Sequence, residues 1–209
     1  MDEKRRKRIA PTGGPRQKRA PRKIDARYLE NAALYYLQRY ASSSQNLRNI
    51  LARKITRGCA HHGQNPDDFM PLLDQMIARY QQAGLLNDEI YAQGRVSSLR
   101  RQGLSRQAIA QKLAQKGLSP ADIANALKQV DAAAADIAGD DHDDTHAREL
   151  AAARIMARRK RIGPWRRKPL ADPKDSQKEM AALARAGFSY DICRRALETP
   201  DDDTVIDFD

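Results

Sequence analysis

The sequence predicts an all-α fold built as three tandem three-helix modules that form an elongated, curved repeat body. Three observations predict it. Apolar residues return at three- and four-residue spacing along most of the chain. Ser, Asn or Asp repeatedly precedes such a stretch and Gly follows it, as helix caps and stops do. Alternating β-branched runs are missing, and Ala, Leu, Gln, Arg and Lys dominate.

Residues 1–23 are rich in Lys and Arg, with Pro11, Pro15, Pro21 and Gly13-Gly14. They offer almost nothing to bury and are predicted to be a disordered basic tail. Module one is predicted over 24–84. Tyr28, Leu29, Ala32, Ala33, Tyr36 and Leu37 give an apolar stripe from about Asp25, and Ser42-Ser43-Ser44 caps a second helix with Leu47, Ile50, Leu51 and Ile55. Gly58 to Asn65 is expected to be a loop. A third helix opens between Pro66 and Pro71, carries Leu72, Leu73, Met76, Ile77 and Tyr80 inward, and closes at Gly84.

Module two is predicted over 85–139. Asn87 and Asp88 cap a helix that Gly103 ends; Ser105 caps the next, with Ile109 and Leu113 one turn apart and Gly117 as the stop. Ser119 caps a third, with Pro120 first, Asp122 in a capping-box-like arrangement, and Ile123, Leu127 and Val130 inward. Module three is predicted over 140–199. It begins with an acidic linker, Asp140-Asp141-His142-Asp143-Asp144, and continues in a helix with Leu150, Ile155 and Met156 that Gly163-Pro164 breaks. Further helices are expected at about Asp175–Ala186 and Tyr190–Leu197, before an acidic tail at 200–209.

The modules share one template. With Gly117 set over Gly187, Ser105 faces Asp175 and Leu113 faces Leu183. Ser43, Leu47 and Leu51 fall under Ser105, Ile109 and Leu113. A cap, two apolar residues a turn apart and a stop therefore occur three times, as expected of stacked repeats that present one long side to a partner.

Lys and Arg outnumber Asp and Glu 38 to 27, for a net charge of +11. That balance favours nucleic acid, an acidic protein groove or, less readily, a membrane surface. No apolar run approaches the roughly 20 residues that span a bilayer. The basic N-terminus lacks the apolar stretch of a secretory signal. Cys59 and Cys193 make no disulfide framework, and a reduced cytoplasmic setting is expected.

Two basic clusters are candidate partner-binding residues. Arg158-Arg159-Lys160-Arg161, then Trp165-Arg166-Arg167-Lys168, place consecutive like charges at a helix end, where the dipole partly offsets their repulsion. Trp165 could stack on a base or an arginine plane; alternatively it plugs the module core and the charges are solvated. The second cluster is Arg95, Arg100, Arg101 and Arg106 with Lys112 and Lys116, whose four-residue spacing sets the two lysines on one face beside the inward stripe. Both clusters are expected to point outward. No metal or cofactor is predicted: His142 with His146, and Cys59 with His61 and His62, give no complete ligand set, and His146 stands where a calcium loop needs glycine. No phosphate loop follows Gly13-Gly14 and no catalytic constellation stands out, so the chain is read as a non-enzyme.

The stretch Gly84-Leu-Leu-Asn-Asp-Glu-Ile-Tyr-Ala92 resembles the Gly-Leu-[Ile/Leu]-Asp-Asp-x-x-[Phe/Tyr]-Ala junction of RecX proteins. Arg100-Arg101-Gln-Gly103, Ala108-Ile109 and Gln115-Lys116-Gly117 follow in that family's order and near its spacing. The likeness is dense from about Gln82 to Leu127, looser across 25–83 and 144–197, and excludes both tails. The loop at Cys59, His61 and His62 and the insertion at 163–174 depart from the pattern. The resemblance implies a regulator of the RecA recombinase filament that restrains ATP hydrolysis and strand exchange, and so DNA repair and the SOS response. Single- or double-stranded DNA is a further expected partner. The alternatives are a direct nucleic-acid-binding helical protein, since short three-helix units resemble helix-turn-helix folds, and a helical scaffold bridging other partners.

Overall fold

The computed structural model describes residues 20–138, 145–167, 169 and 172–198, and among these every regular element is helical. The basic tail up to residue 19, the acidic linker at 139–144 with His142, Lys168 and the tail at 199–209 lie outside the described residues.

The first three helices are α1 (Ala26–Leu37), α2 (Ser44–His62) and α3 (Met70–Gln82). Asp25 caps α1 by accepting from the Tyr28 N–H at 2.6 Å, and Ser43 caps α2 by accepting from Asn46. A 3₁₀ turn at Pro66–Asp68 precedes α3, and Pro71 sits in the first turn of α3, where its missing N–H has no intrahelical partner. Leu29, Leu47, Leu51, Ile55, Leu73, Met76 and Tyr80 close into one apolar cluster. Leu72, expected inward, is exposed.

The expected stop at Gly58 is corrected. The α2 helix runs through Gly58 to His62 and ends at Gly63, whose φ of +66° is the left-handed geometry of a stop. Gly58 has another purpose. A Cβ there would lie 2.5 Å from Ile24 Cδ1, so glycine lets the strap before α1 settle onto α2.

Helices α4 (Asp88–Arg101), α5 (Arg106–Ala114) and α6 (Pro120–Ala138) follow, with Asn87 and Ser105 capping the first two. Ser119 accepts from the Asp122 N–H, and its hydroxyl donates back to the Asp122 carboxylate. Val96, Leu99, Ile109, Leu113, Ile123 and Leu127 form a second cluster. The last helices are α7 (Thr145–Lys160), α8 (Pro173–Ala184) and α9 (Tyr190–Leu197), with a 3₁₀ turn at Gly163–Trp165 between α7 and α8. Their cluster is led by Leu150, Ala153, Leu183, Phe188 and Ile192.

The predicted cap of the eighth helix is also corrected. Asp172, not Asp175, caps α8, and Pro173 is its first residue; the helix is one turn longer at its start than the template expects. The Asp175 N–H is spent inside that turn on the Asp172 carbonyl, 2.9 Å away.

Successive modules meet through one joint used twice. Ser43 Oγ donates to the Lys116 carbonyl beside Gly117, and Ser105 Oγ donates at 2.6 Å to the Ala186 carbonyl beside Gly187. The first N–H of the helix that each serine caps then donates to a carboxylate from the next module: Ser44 to Asp88 at 2.7 Å, and Arg106 to Glu149 at 3.0 Å. Each serine therefore caps its own helix and ties the end of the next module's middle helix to it. Both carboxylates sit near the start of their helix and face a second helix start, where partial positive charge favours them.

Candidate functional site

The second joint carries most of the buried charge. Arg100, near the end of α4, reaches Asp131 of α6 through Nη2 at 2.9 Å and Glu149 of α7 through Nη1 at 2.8 Å. Its remaining contact is the Leu104 carbonyl. Arg106 Nη1 reaches the same Asp131 carboxylate at 2.9 Å. Burial pulls the Arg100 guanidinium down, but the hydrogen bonds from Asp131 and Glu149 outweigh it and hold the group above its ordinary value. The Arg100 side chain is only 11% exposed and that of Asp131 5%.

The expectation that the whole second cluster points outward is thus corrected for Arg100 and Arg106. Their charge is consumed in holding module two to module three. Arg95 and Arg101 on α4, Lys112 on α5, and Lys116 are exposed and have no ion pair among the described residues. Lys116 lies just past the end of α5 rather than on it, and its carbonyl is the one that accepts from Ser43.

The basic segment at the end of α7 divides in the same way. Arg166 is locked to Glu179 of α8 at 2.6 Å, and that carboxylate also accepts the Gly163 N–H at 3.0 Å. Arg159 donates to the Gln102 carbonyl at 2.6 Å and so leans back on module two. Arg158, Lys160, Arg161 and Arg167 are exposed, with no counter-charge among the described residues. Arg161 takes φ +56°, the left-handed turn that ends α7 and swings the chain into the 3₁₀ turn. Trp165 is half-buried and lies outside the third apolar cluster, so it is not the plug of that core.

Sequence reasoning missed the three carboxylates that neutralise these arginines. Asp131 had a visible signal: it stands four residues after Leu127 on the inward side of α6, and a charge there needs a buried partner. Glu149 and Glu179 had none, because each is an ordinary helix residue until its module is docked. The sequence also did not show that two open depressions meet at Ile90 and Gly94 of α4, one running toward Tyr40 and Leu85, the other toward Ser97 and Arg101. Tyr40, Leu85 and Ile90 are all more than half exposed there.

Neither cysteine is poised as a nucleophile. Burial pushes both the Cys59 and the Cys193 thiol above the usual range. Among the described residues no group of His, Cys, Asp and Glu is arranged to hold a metal, and His62 instead meets the Pro21 carbonyl at 2.8 Å. No described helix is long and apolar enough to cross a membrane.

Comparison with known proteins bears on the family. Residues 87–127 match the family profile of "RecX, second three-helix domain", and residues 147–197 that of "RecX, third three-helix domain". A regulatory protein RecX of Myxococcus xanthus (strain DK1622) is 39% identical over 193 residues, covering 90% of this chain and 96% of the relative. A regulatory protein RecX of Agrobacterium fabrum (strain C58 / ATCC 33970) is 30% identical over 170 residues, covering 81% and 82%. The crystal structure of a regulatory protein RecX superposes with a TM-score of 0.53 at 18% identity, over 81% of this chain and 70% of that one, which supports the fold alone. With three-helix units joined in series and relatives matched over nearly their whole length, this chain belongs to the RecX family.

Proposed function

We propose that the chain is a non-enzymatic regulator that binds RecA filaments and restrains their ATP hydrolysis and strand exchange in the cytoplasm, and so tempers DNA repair and the SOS response. It contacts the filament, or the DNA within it, through the cations that its own carboxylates leave free. These are Arg95, Arg101, Lys112 and Lys116 on module two, and Arg158, Lys160, Arg161, Arg167 and the neighbouring Lys168 on module three. Trp165 provides a flat apolar face among them.

One observation carries the reading. Arg100, Arg106 and Arg166 each have a carboxylate at 2.6–2.9 Å, while the exposed basic residues around them have none among the described residues. Unpaired like charges held side by side raise the energy of the free protein, and an anionic partner removes that cost. The regulator acts by preferring one filament state, and shifts the filament only as far as its affinities differ.

The test is the DNA-dependent ATPase of RecA with rising amounts of the protein. The R158E/R161E/R167E variant should lose inhibition at least tenfold in concentration, whereas K54E, on module one, should keep it. Full inhibition by the triple reversal would remove these residues from the contact.

A second reading, direct nucleic-acid binding, has the same free cations in its favour. Salt separates the two. Pure phosphate contact weakens by about 0.7–0.9 log units per contact per log unit of salt. A packed protein interface with RecA weakens less.

A further inference from the structure

The chain leaves the last helix beside its most basic segment. A Cβ on Gly163 would lie 3.0 Å from Leu197 Cα and 2.9 Å from Leu197 Cδ2, so the end of α9 lies directly on the Gly163–Trp165 turn. Residues 158–168 contain seven Lys or Arg in eleven, and residues 199–209, which follow α9, contain five Asp in eleven and no Lys or Arg. Two segments of opposite charge and equal length therefore start from one contact.

The cations nearest to that exit on α9 itself are already engaged. Arg194 pairs with Asp191 and Glu198, each at 3.3 Å, and Arg195 Nη1 lies 3.0 Å from His146 Nδ1. Arg166 is taken by Glu179. Arg158, Lys160, Arg161 and Arg167 are exposed and without a counter-charge among the described residues, and they flank the turn on which Leu197 rests. Eleven residues reach roughly 36–40 Å when extended, several times what is needed to return along the end of α7. Val205, Ile206 and Phe208 are interspersed with the aspartates, and half-buried Trp165 offers them an apolar contact.

We infer that the acidic segment 199–209 folds back onto the basic segment 158–168 and occupies it, so that an anionic partner must displace it to bind. This rests on the reading that the basic segment is the contact surface. A tethered competitor of this length acts at an effective concentration of about millimolar. It therefore screens weak, non-specific anions while yielding to a partner that engages several modules at once.

Zero-length carbodiimide crosslinking of the dilute full chain, with peptide mapping of the monomer band, reads occupancy without any partner. The expected product joins Lys160 or Lys168 to an aspartate between Asp201 and Asp209. Crosslinks from that segment only to Lys54, Lys112 or Lys116, or only between copies, would overturn the inference. Binding of a fluorescent oligothymidylate reads competition. The variant D201N/D202N/D203N/D207N/D209N should bind about tenfold tighter than the parent at low salt, with the gap closing as salt screens the segment. Equal affinity would overturn the competition, provided that R158E/R161E/R167E weakens the same binding. If that triple reversal leaves oligonucleotide binding intact, the contact-surface reading has failed, and the crosslink alone decides occupancy.

Discussion

Arg100 and Glu149 meet across the second joint, with Nη1 2.8 Å from Oε2, and the Glu149 carboxylate also accepts the first N–H of α5. Removing the guanidinium leaves two largely buried carboxylates facing each other's charge. R100M should therefore destabilise the protein by about 3–5 kcal/mol, read as a lower urea midpoint. R100K should rescue little of this, because one ammonium cannot span Asp131 and Glu149 as the planar fork does. A midpoint unchanged in R100M would show that the pair contributes nothing to holding the modules together.

Ser43 and Ser105 do the same two jobs at two joints, so their truncation should cost the same. S43A and S105A are each expected to lose about 1–2 kcal/mol, the range of a lost helix cap, with the hydrogen bond to the next module as part of it. Hydrogen exchange should show the loss in both modules that flank the mutated joint. Protection lost only within α2 or only within α5 would reduce the serine to a local cap.

Two glycines in module two should respond with opposite sign. Gly103 has φ +75°, and a Cβ there would lie 2.8 Å from both the Ala152 carbonyl and the Met156 nitrogen. G103A should lower the thermal midpoint sharply, since backbone cannot give way as a side chain can. Gly94 has nothing within 4 Å of its missing Cβ. G94A should raise stability by about 0.5–1 kcal/mol, the usual gain in a helix interior. If G94A also weakens binding to RecA, the depression at Ile90 and Gly94 is part of the contact.

The Arg48–Asp74 pair, at 2.6 Å between α2 and α3, sets an acid limit on module one. The hydrogen bond from Arg48 holds the Asp74 carboxyl below its ordinary value. A folded pKa below the unfolded one means that the contribution is present above about pH 4, near the ordinary carboxylate value, and is lost as pH falls through the folded value. D74N should flatten the fall of thermal midpoint below pH 4 and change its slope little near neutrality. An unaltered acid slope in D74N would place the acid sensitivity elsewhere.

Local features were legible because their causes are local. Ser43, Ser105 and Ser119 cap helices that their neighbours mark out, and Gly117 and Gly187 stop helices whose periodicity ends there. Gly58 misled because glycine has two uses, and its true neighbour, Ile24, lies 34 residues earlier across a packed interface. Arg100 read as a free cation because its partners are 31 and 49 residues away. The extra turn of α8 was likewise hidden, since Asp172 and Asp175 are equally good caps and only the chain's path into α8 chooses between them. The free cations of the candidate site were legible as a composition, and which of them remain free was settled only by tertiary pairing.

The beginning of α8 explains why the series has a last member. At each earlier junction a serine hydroxyl and an adjacent N–H are offered to whatever follows. At α8 the cap is an aspartate, which in its charged form has no proton to give, and the next residue is Pro173, which has no N–H. The terminal unit thus lacks both halves of the coupling, and stacking by this rule halts at three. A protein that joins its own parts through a self-repeating fastener is spared end-to-end growth into fibres by two residues at its open edge.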